Sequence, residues 1–262
     1  MTEAPDAWSP AEIAARVEAA ALPKAAASLP RLMMLSMLAG AFIAFGALFY
    51  TLVVADSTLG SGPTRLIGGA AFSLGLILVI VGGAELFTGN MLMVIAAADR
   101  RISLSALLRN WGLVWTGNFA GALVIAVLVT LSGVAADGPV AVKMAAIADG
   151  KLALGPAEAF FRGVLCNVLV CLAVWMSFGA RSVTDKVLVI VPPIAAFVGV
   201  GFEHSVANMY VIPVAMMAGL TGFDVSGLAL NLLFVTAGNV LGGGLLVGIV
   251  YWAIYLRHLP KS

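Results

Sequence analysis

The sequence predicts an all-α membrane protein: six transmembrane helices arranged as two inverted three-helix repeats, with the second and fifth helices broken. Three observations carry this. Of 262 residues, 62% are hydrophobic and only 10% charged, against about 25% charged in soluble domains. Six apolar segments are long enough to cross a bilayer as helices, which takes about 20 residues. Two sparse polar patterns recur, in the same order, in the two halves of the chain.

The first 31 residues form a lead-in. In "SPAEIAARVEAA", Ser9 followed by Glu12 fits a capping box, and Pro10 suits the first helical position. Ile13, Val17 and Ala20 or Ala21 share one face, too weakly apolar to span. The prediction is a short amphipathic helix at the membrane surface, either a plain anchor or a gate beneath a pore. The N-terminus is acidic and polar, so no cleavable signal peptide is expected. Residues 32–257 form the membrane domain, with spans at Leu32–Ala55, Leu66–Ala98, Trp111–Val134, Ala157–Phe178, Val187–Ala218 and Leu228–Leu256. Residues 258–262 form a short tail. An even number of spans puts both ends on one face. Ten of the 14 lysines and arginines fall on that face. The positive-inside bias therefore predicts cytoplasmic termini.

"GAELFTGNM" from Gly83 and "GFEHSVANM" from Gly201 share Gly-x-Glu-x-x-x-x-Asn-Met at an offset of 118 residues. "NWGLVWTGNFAG" from Asn110 and "NLLFVTAGNVLG" from Asn231 share Asn-x-x-x-Val-x-x-Gly-Asn-x-x-Gly at an offset of 121. Spans one to three thus repeat as four to six. Three is odd, so the second half enters from the opposite side, about a pseudo-two-fold axis in the membrane plane. The first pattern interrupts the middle helix of each half. Non-helical backbone at that depth persists only where it is buried in protein or lines a wet cavity. The half-helix N-termini it creates suit an anion.

Of two histidines, only His204 lies away from a terminus. Burial favours its neutral form and a nearby anion its charged form. A lone buried histidine is more often a bonded core residue; the break and the axis favour a role at a pore centre. Thr88, in the first break, is placed to meet it across the axis. Glu85 and Glu203 hold matched positions. Carboxylates at mid-membrane need partners, and their symmetry favours braces that accept freed backbone N–H groups over a proton path. Asn90 and Asn208 read as loop braces, and Asn118 and Asn239 as packing hydrogen bonds rather than ligands, with a reach to the pore left open for one of them. Leu86 and Phe87 flank the polar centre, as packing or as dewetting constrictions. Cys166 and Cys171 have no metal-site spacing and read as small core residues.

"GAELFTGN", "CNVLVCLAVWMS", "GFEHSVANM" and "GNVLGGGLLVGIVYW", in this order, resemble the formate/nitrite transporter family from about Leu32 to Arg257. "FSLGLILVIVGGAELFT" and "ARSVTDK" resemble its formate channel branch. The resemblance implies an aquaporin-like fold, a homopentamer with one pore per protomer, and residence in a bacterial cytoplasmic (inner) membrane. It implies His204 as the central pore histidine with Thr88 as partner. Phe72 and Phe197 match the periplasmic constriction, and Leu76 and Leu86 the cytoplasmic one, with Val170 nearby. Asn167 and Asn239 match pore-lining asparagines. Lys151 matches a vestibule lysine, although the sequence alone reads it as a solvated loop residue.

The implied activity is passage of a small monovalent anion, formate first, with protons coupled through His204. Glu85 stands where formate channels typically carry aspartate and is closer to nitrite-type members, which keeps nitrite and hydrosulfide as alternatives. An ammonium-type channel would resemble a twin-histidine pore. An intramembrane enzyme would need a zinc pair or a Gly-x-Ser-Gly segment, and neither is present. No cofactor or metal is implied, and a net charge of +1 implies no nucleic-acid partner.

Overall fold

The computed structural model describes residues 7–222 and 224–257; the tail predicted at 258–262 lies outside them. The described chain is all helical: α1 (Pro10–Ala25), α2 (Leu29–Val54), α3 (Ser61–Gly82), a short 3₁₀ helix (Gly89–Met93), α4 (Val94–Ala98), α5 (Leu104–Ser132), α6 (Gly138–Leu152), α7 (Pro156–Gly179), α8 (Val183–Val200), α9 (Ser205–Met217), α10 (Val225–Val240), a π-helical stretch (Leu241–Ile249) and α11 (Val250–Tyr255). Six helical stretches are long and apolar enough to cross a membrane, the last running from α10 through α11. The chain is a multi-pass membrane protein.

Helix ends follow capping chemistry more closely than apolar run length. The first span begins at Leu29 because Pro30 is tolerated in a first turn. The third begins at Leu104, seven residues before the predicted start, because the Ser103 hydroxyl accepts from the Ala106 N–H. The fifth begins at Val183, behind a Ser182/Asp185 capping box. The sequence reading missed α6 entirely. This helix joins α5 to α7, packs on α9 and α2, and is too polar to register as a span.

α1 forms where predicted. Ser9 and Glu12 cap each other, and Ile13, Ala14, Val17, Glu18 and Ala21 are buried. It packs on α7, on the 3₁₀ helix and on α4. Its start is pinned as well: the Trp8 N–H donates to the Gly179 carbonyl at 3.1 Å, and Arg16 and Arg181 lie over the Trp8 ring at 4.3 and 4.1 Å.

The long helices pack as α2 with α3 and α5, α7 with α8 and α10, and α3 with α8. Small residues allow close crossings. A Cβ at Gly121 would stand 1.9 Å from the Met37 carbonyl oxygen on α2. One at Gly242 would stand 2.1 Å from that of Val164 on α7. α3 ends where Gly83 adopts φ of 80°, and α8 where Gly201 adopts φ of 88°. Both are left-handed positions that glycine adopts without a Cβ penalty. Each helix is followed by a short non-helical segment, then by helix again.

Candidate functional site

The two non-helical segments meet at His204 and Thr88. His204 precedes α9, and its Nδ1 accepts the Ala207 N–H at 3.1 Å, so the imidazole is itself the N-cap of α9. Its Nε2 lies 2.9 Å from Thr88 Oγ1. Both residues are buried. A neutral ring accepting at Nδ1 carries its hydrogen on Nε2. Nε2–H then donates to Thr88 Oγ1, and the Thr88 hydroxyl hydrogen is left to donate elsewhere.

A cavity lies on either side of this pair. The larger, about 360 Å³, is on the α6 face and is lined by residues including Phe72, Lys151, Phe197, Glu203 and His204. Phe72 and Phe197 pack edge to face with centroids 5.7 Å apart, and Phe197 stacks on the His204 ring at 6.0 Å. The smaller, about 80 Å³, lies under α1 and is lined by Lys24, Leu76, Leu86, Gly89 and Val174 among others. Phe87 and Val170 are buried in the core and line neither cavity; Val174, one turn beyond Val170, does.

The glutamates do not accept freed backbone N–H groups as expected; their partners are side chains. Lys24 Nζ donates to Glu85 Oε2 at 2.9 Å and to Asn90 Oδ1 at 2.8 Å. Asn90 Nδ2 reaches Glu85 at 2.7 Å and Asn110 Oδ1 at 2.9 Å, and Asn110 donates to the Lys24 carbonyl. In the second half Lys151 Nζ lies 3.0 Å from both Glu203 oxygens. Asn208 Nδ2 reaches Glu203 at 2.7 Å and Asn231 Oδ1 at 2.8 Å, and Asn231 donates to the Lys151 carbonyl. Each half thus holds a lysine, a glutamate and two asparagines in the same order of contacts. Pairing at both carboxylates offsets the desolvation cost of a lone buried charge. Lys151 lies in the last turn of α6, not in a solvated loop.

The freed backbone donors go instead to the asparagines of the third spans. Asn118 Oδ1 accepts the Phe87 N–H, and its Nδ2 donates to the carbonyls of Ser36 and Glu85. Asn239 Oδ1 accepts the Ser205 N–H, and its Nδ2 donates to those of Gly163 and Glu203. Asn167 Nδ2 donates to the carbonyls of Asn239 and, at 3.3 Å, Thr88. Cys171, read from the sequence as core filler, also points its thiol at the Thr88 carbonyl, at 3.3 Å.

The sequence reading missed Lys24, Asn110 and Asn231 as parts of this machinery. Both asparagines opened the repeated third-span pattern, so a signal for them existed. Lys24 carried none: its partner lies 61 residues away and its neighbours are alanines and a proline.

The family profile "Formate/nitrite transporter" matches residues 11–253. The chain is 41% identical to the formate channel FocA of Escherichia coli (strain K12) over 274 residues, covering 97% of this chain and 96% of that one. It is 41% identical over 270 residues to a probable formate transporter of Methanothermobacter thermautotrophicus, covering 95% and 98%. A solved structure, "Pentameric formate channel with formate bound", superposes with a TM-score of 0.78 at 40% identity, over 87% of this chain and 98% of that one. A second, "FNT family ion channel", superposes with a TM-score of 0.86 at 30% identity, over 93% and 98%. With its paired glutamates, its histidine–threonine centre and these matches along nearly its whole length, the chain belongs to the formate/nitrite transporter family.

Proposed function

We propose that the protein is a channel for small monovalent anions, formate first, whose passage is coupled to a proton through His204. The carrying observation is the His204–Thr88 pair, with one cavity lined by α1 residues and another lined by α6 residues near it. The Thr88 hydroxyl hydrogen supplies a donor for a carboxylate oxygen at the centre. The Phe72–Phe197 pair on one side and Leu76 with Leu86 on the other resist a bare charge. An anion that shares a proton at the centre passes them more readily. Charging His204 would place hydrogens on both ring nitrogens and give up the α9 cap bond, which costs on the order of 1 kcal/mol; an anion beside Nε2 offsets this.

The finer architecture belongs to the same proposal. The two halves are inverted repeats, and the second and fifth spans are broken at 83–88 and 201–204. The matched lysine–glutamate–asparagine networks support this. Residues 1–31 are a cytoplasmic lead-in, residues 32–257 the channel domain and 258–262 a cytoplasmic tail, in a bacterial inner membrane with both termini inside. The similarity to a pentameric channel supports a homopentamer.

The test is flux in liposomes carrying purified protein, with formate, nitrite, hydrosulfide, acetate and lactate in competition and ammonium as a separate permeant. Formate should move fastest and compete best. Nitrite or hydrosulfide leading would reassign the substrate, and ammonium flux without anion flux would overturn the anion reading.

A further inference from the structure

We propose that Arg65 and Arg162 form an anion-capture site at the larger cavity, on the α6 face, and that it makes entry from that face more avid than entry from the other. The proposal rests on anion conduction as the function and adds the residues that recruit the anion. α8 ends at this cavity. The Gly201 N–H turns back to the carbonyls of Phe197 and Val198, and the Phe202 N–H to that of Phe197. The Gly199 and Gly201 carbonyls receive no such backbone donor. The C-terminal end of a helix carries partial negative charge, so a bare end would repel an entering anion. Here each of the two carbonyls meets a guanidinium. Arg65 Nη1 lies 3.4 Å from the Gly199 oxygen and Arg162 Nη1 lies 3.3 Å from the Gly201 oxygen.

The charge balance of the cavity points first to Arg65. Its charged lining residues are Arg65, Lys151, Arg162 and Glu203. Lys151 is already paired with Glu203. Arg162 also meets Glu158, but among the described residues no carboxylate pairs with Arg65. By this balance the unpaired positive charge is that of Arg65, with Arg162 beside it sharing its guanidinium between Glu158 and the Gly201 carbonyl. A guanidinium has five N–H donors in a planar fork, and one bond to a carbonyl leaves the others for a carboxylate or another small oxyanion. The cavity under α1 differs. Its charged lining residue is Lys24, paired with Glu85, and among the described residues no lysine or arginine contacts the last carbonyls of α3.

Two measurements test this, with wild type, Arg65→Gln and Arg65→Lys. The first is formate entry into oriented vesicles of either sidedness at low and high salt. For entry from the α6 face at low salt, Arg65→Gln should raise the half-saturation concentration by roughly three-fold or more. The shift should shrink at high salt, be absent from the other face, and be largely reversed in Arg65→Lys. The second needs no transport: Ala146→Cys, on the cavity lining, is labelled with anionic and cationic thiol reagents of equal size. Arg65→Gln should lower the anionic-to-cationic rate ratio. Wild-type protein that moves no anion, with the labelling effect intact, would overturn the conduction reading alone. An unchanged ratio, or a half-saturation shift equal from both faces, would overturn the capture site.

Discussion

Lys151 and Glu203 form a two-oxygen ion pair, 3.0 Å from Nζ to each carboxylate oxygen, in which the lysine is 16% and the glutamate 5% exposed. The corresponding Lys24–Glu85 pair has one such contact, at 2.9 Å, and is more open, at 27% and 12%. Removing one partner of a buried pair strands the other charge, at about 3–5 kcal/mol. Glu203→Ala and Lys151→Ala should therefore each lower the melting temperature and the yield of folded oligomer, more than Lys24→Ala does. Glu203→Gln combined with Lys151→Met should recover much of the loss, because no charge is left stranded. Thermal melts and size-exclusion profiles in detergent check this; additive losses in the double variant would count against the pair as a unit.

The Phe72–Phe197 pair leads to a selectivity prediction. Phe72 is 5% exposed and packs against Phe197, which stacks on His204. Phe72→Ala should raise lactate flux relative to formate flux by several-fold, and Leu86→Ala should do the same from the cavity under α1. Bulky apolar side chains beside a polar centre set both the diameter and the dehydration barrier. An unchanged ratio in folded variants would reduce these residues to packing.

Gly243 and Gly244 are adjacent and should respond oppositely to alanine. A Cβ at Gly243 would stand 2.3 Å from Asn167 Nδ2 and 2.6 Å from Cys171 Sγ, the two groups aimed at the Thr88 carbonyl. At Gly244 the nearest atom is 4.0 Å away. Gly243→Ala should disturb the Thr88 loop and cut formate flux by an order of magnitude or cost about 1–3 kcal/mol of stability through overpacking. Gly244→Ala should match wild type. Equal behaviour of the two would mean that the π-helical stretch does not support the loop.

Much of this was legible in the sequence because the strongest constraints were local. Glycines at 83 and 201, each before a glutamate in an apolar run, mark where helices must stop, and the structure gives both positive φ. The meeting of Thr88 and His204 followed from matching two patterns 118 residues apart. What escaped was set by distant partners. Lys24 takes its meaning from Glu85, and the two arginines from the carbonyls at the end of α8. α6 hid because its buried face is narrow (Ala141, Met144 and Ala148) and Lys143, Asp149 and Lys151 break the apolar run along the sequence. The glutamate partners were misjudged for a related reason: the motif shows a carboxylate beside a break but not that third-span asparagines take the freed N–H groups first.

The central claim is that His204 couples anion passage to a proton, and His204→Asn tests it most directly. Asparagine is a good N-cap, so the variant keeps the α9 cap and polarity at the centre while losing the titratable ring. The measurement is formate-driven pH change and current in liposomes, wild type beside His204→Asn, with folding checked by oligomer size. The account predicts that wild type moves protons in fixed proportion to formate, and that His204→Asn loses this proportion and carries formate as an uncompensated current. Identical proton-to-formate stoichiometry in the two proteins would contradict it and leave His204 as the cap of α9 alone.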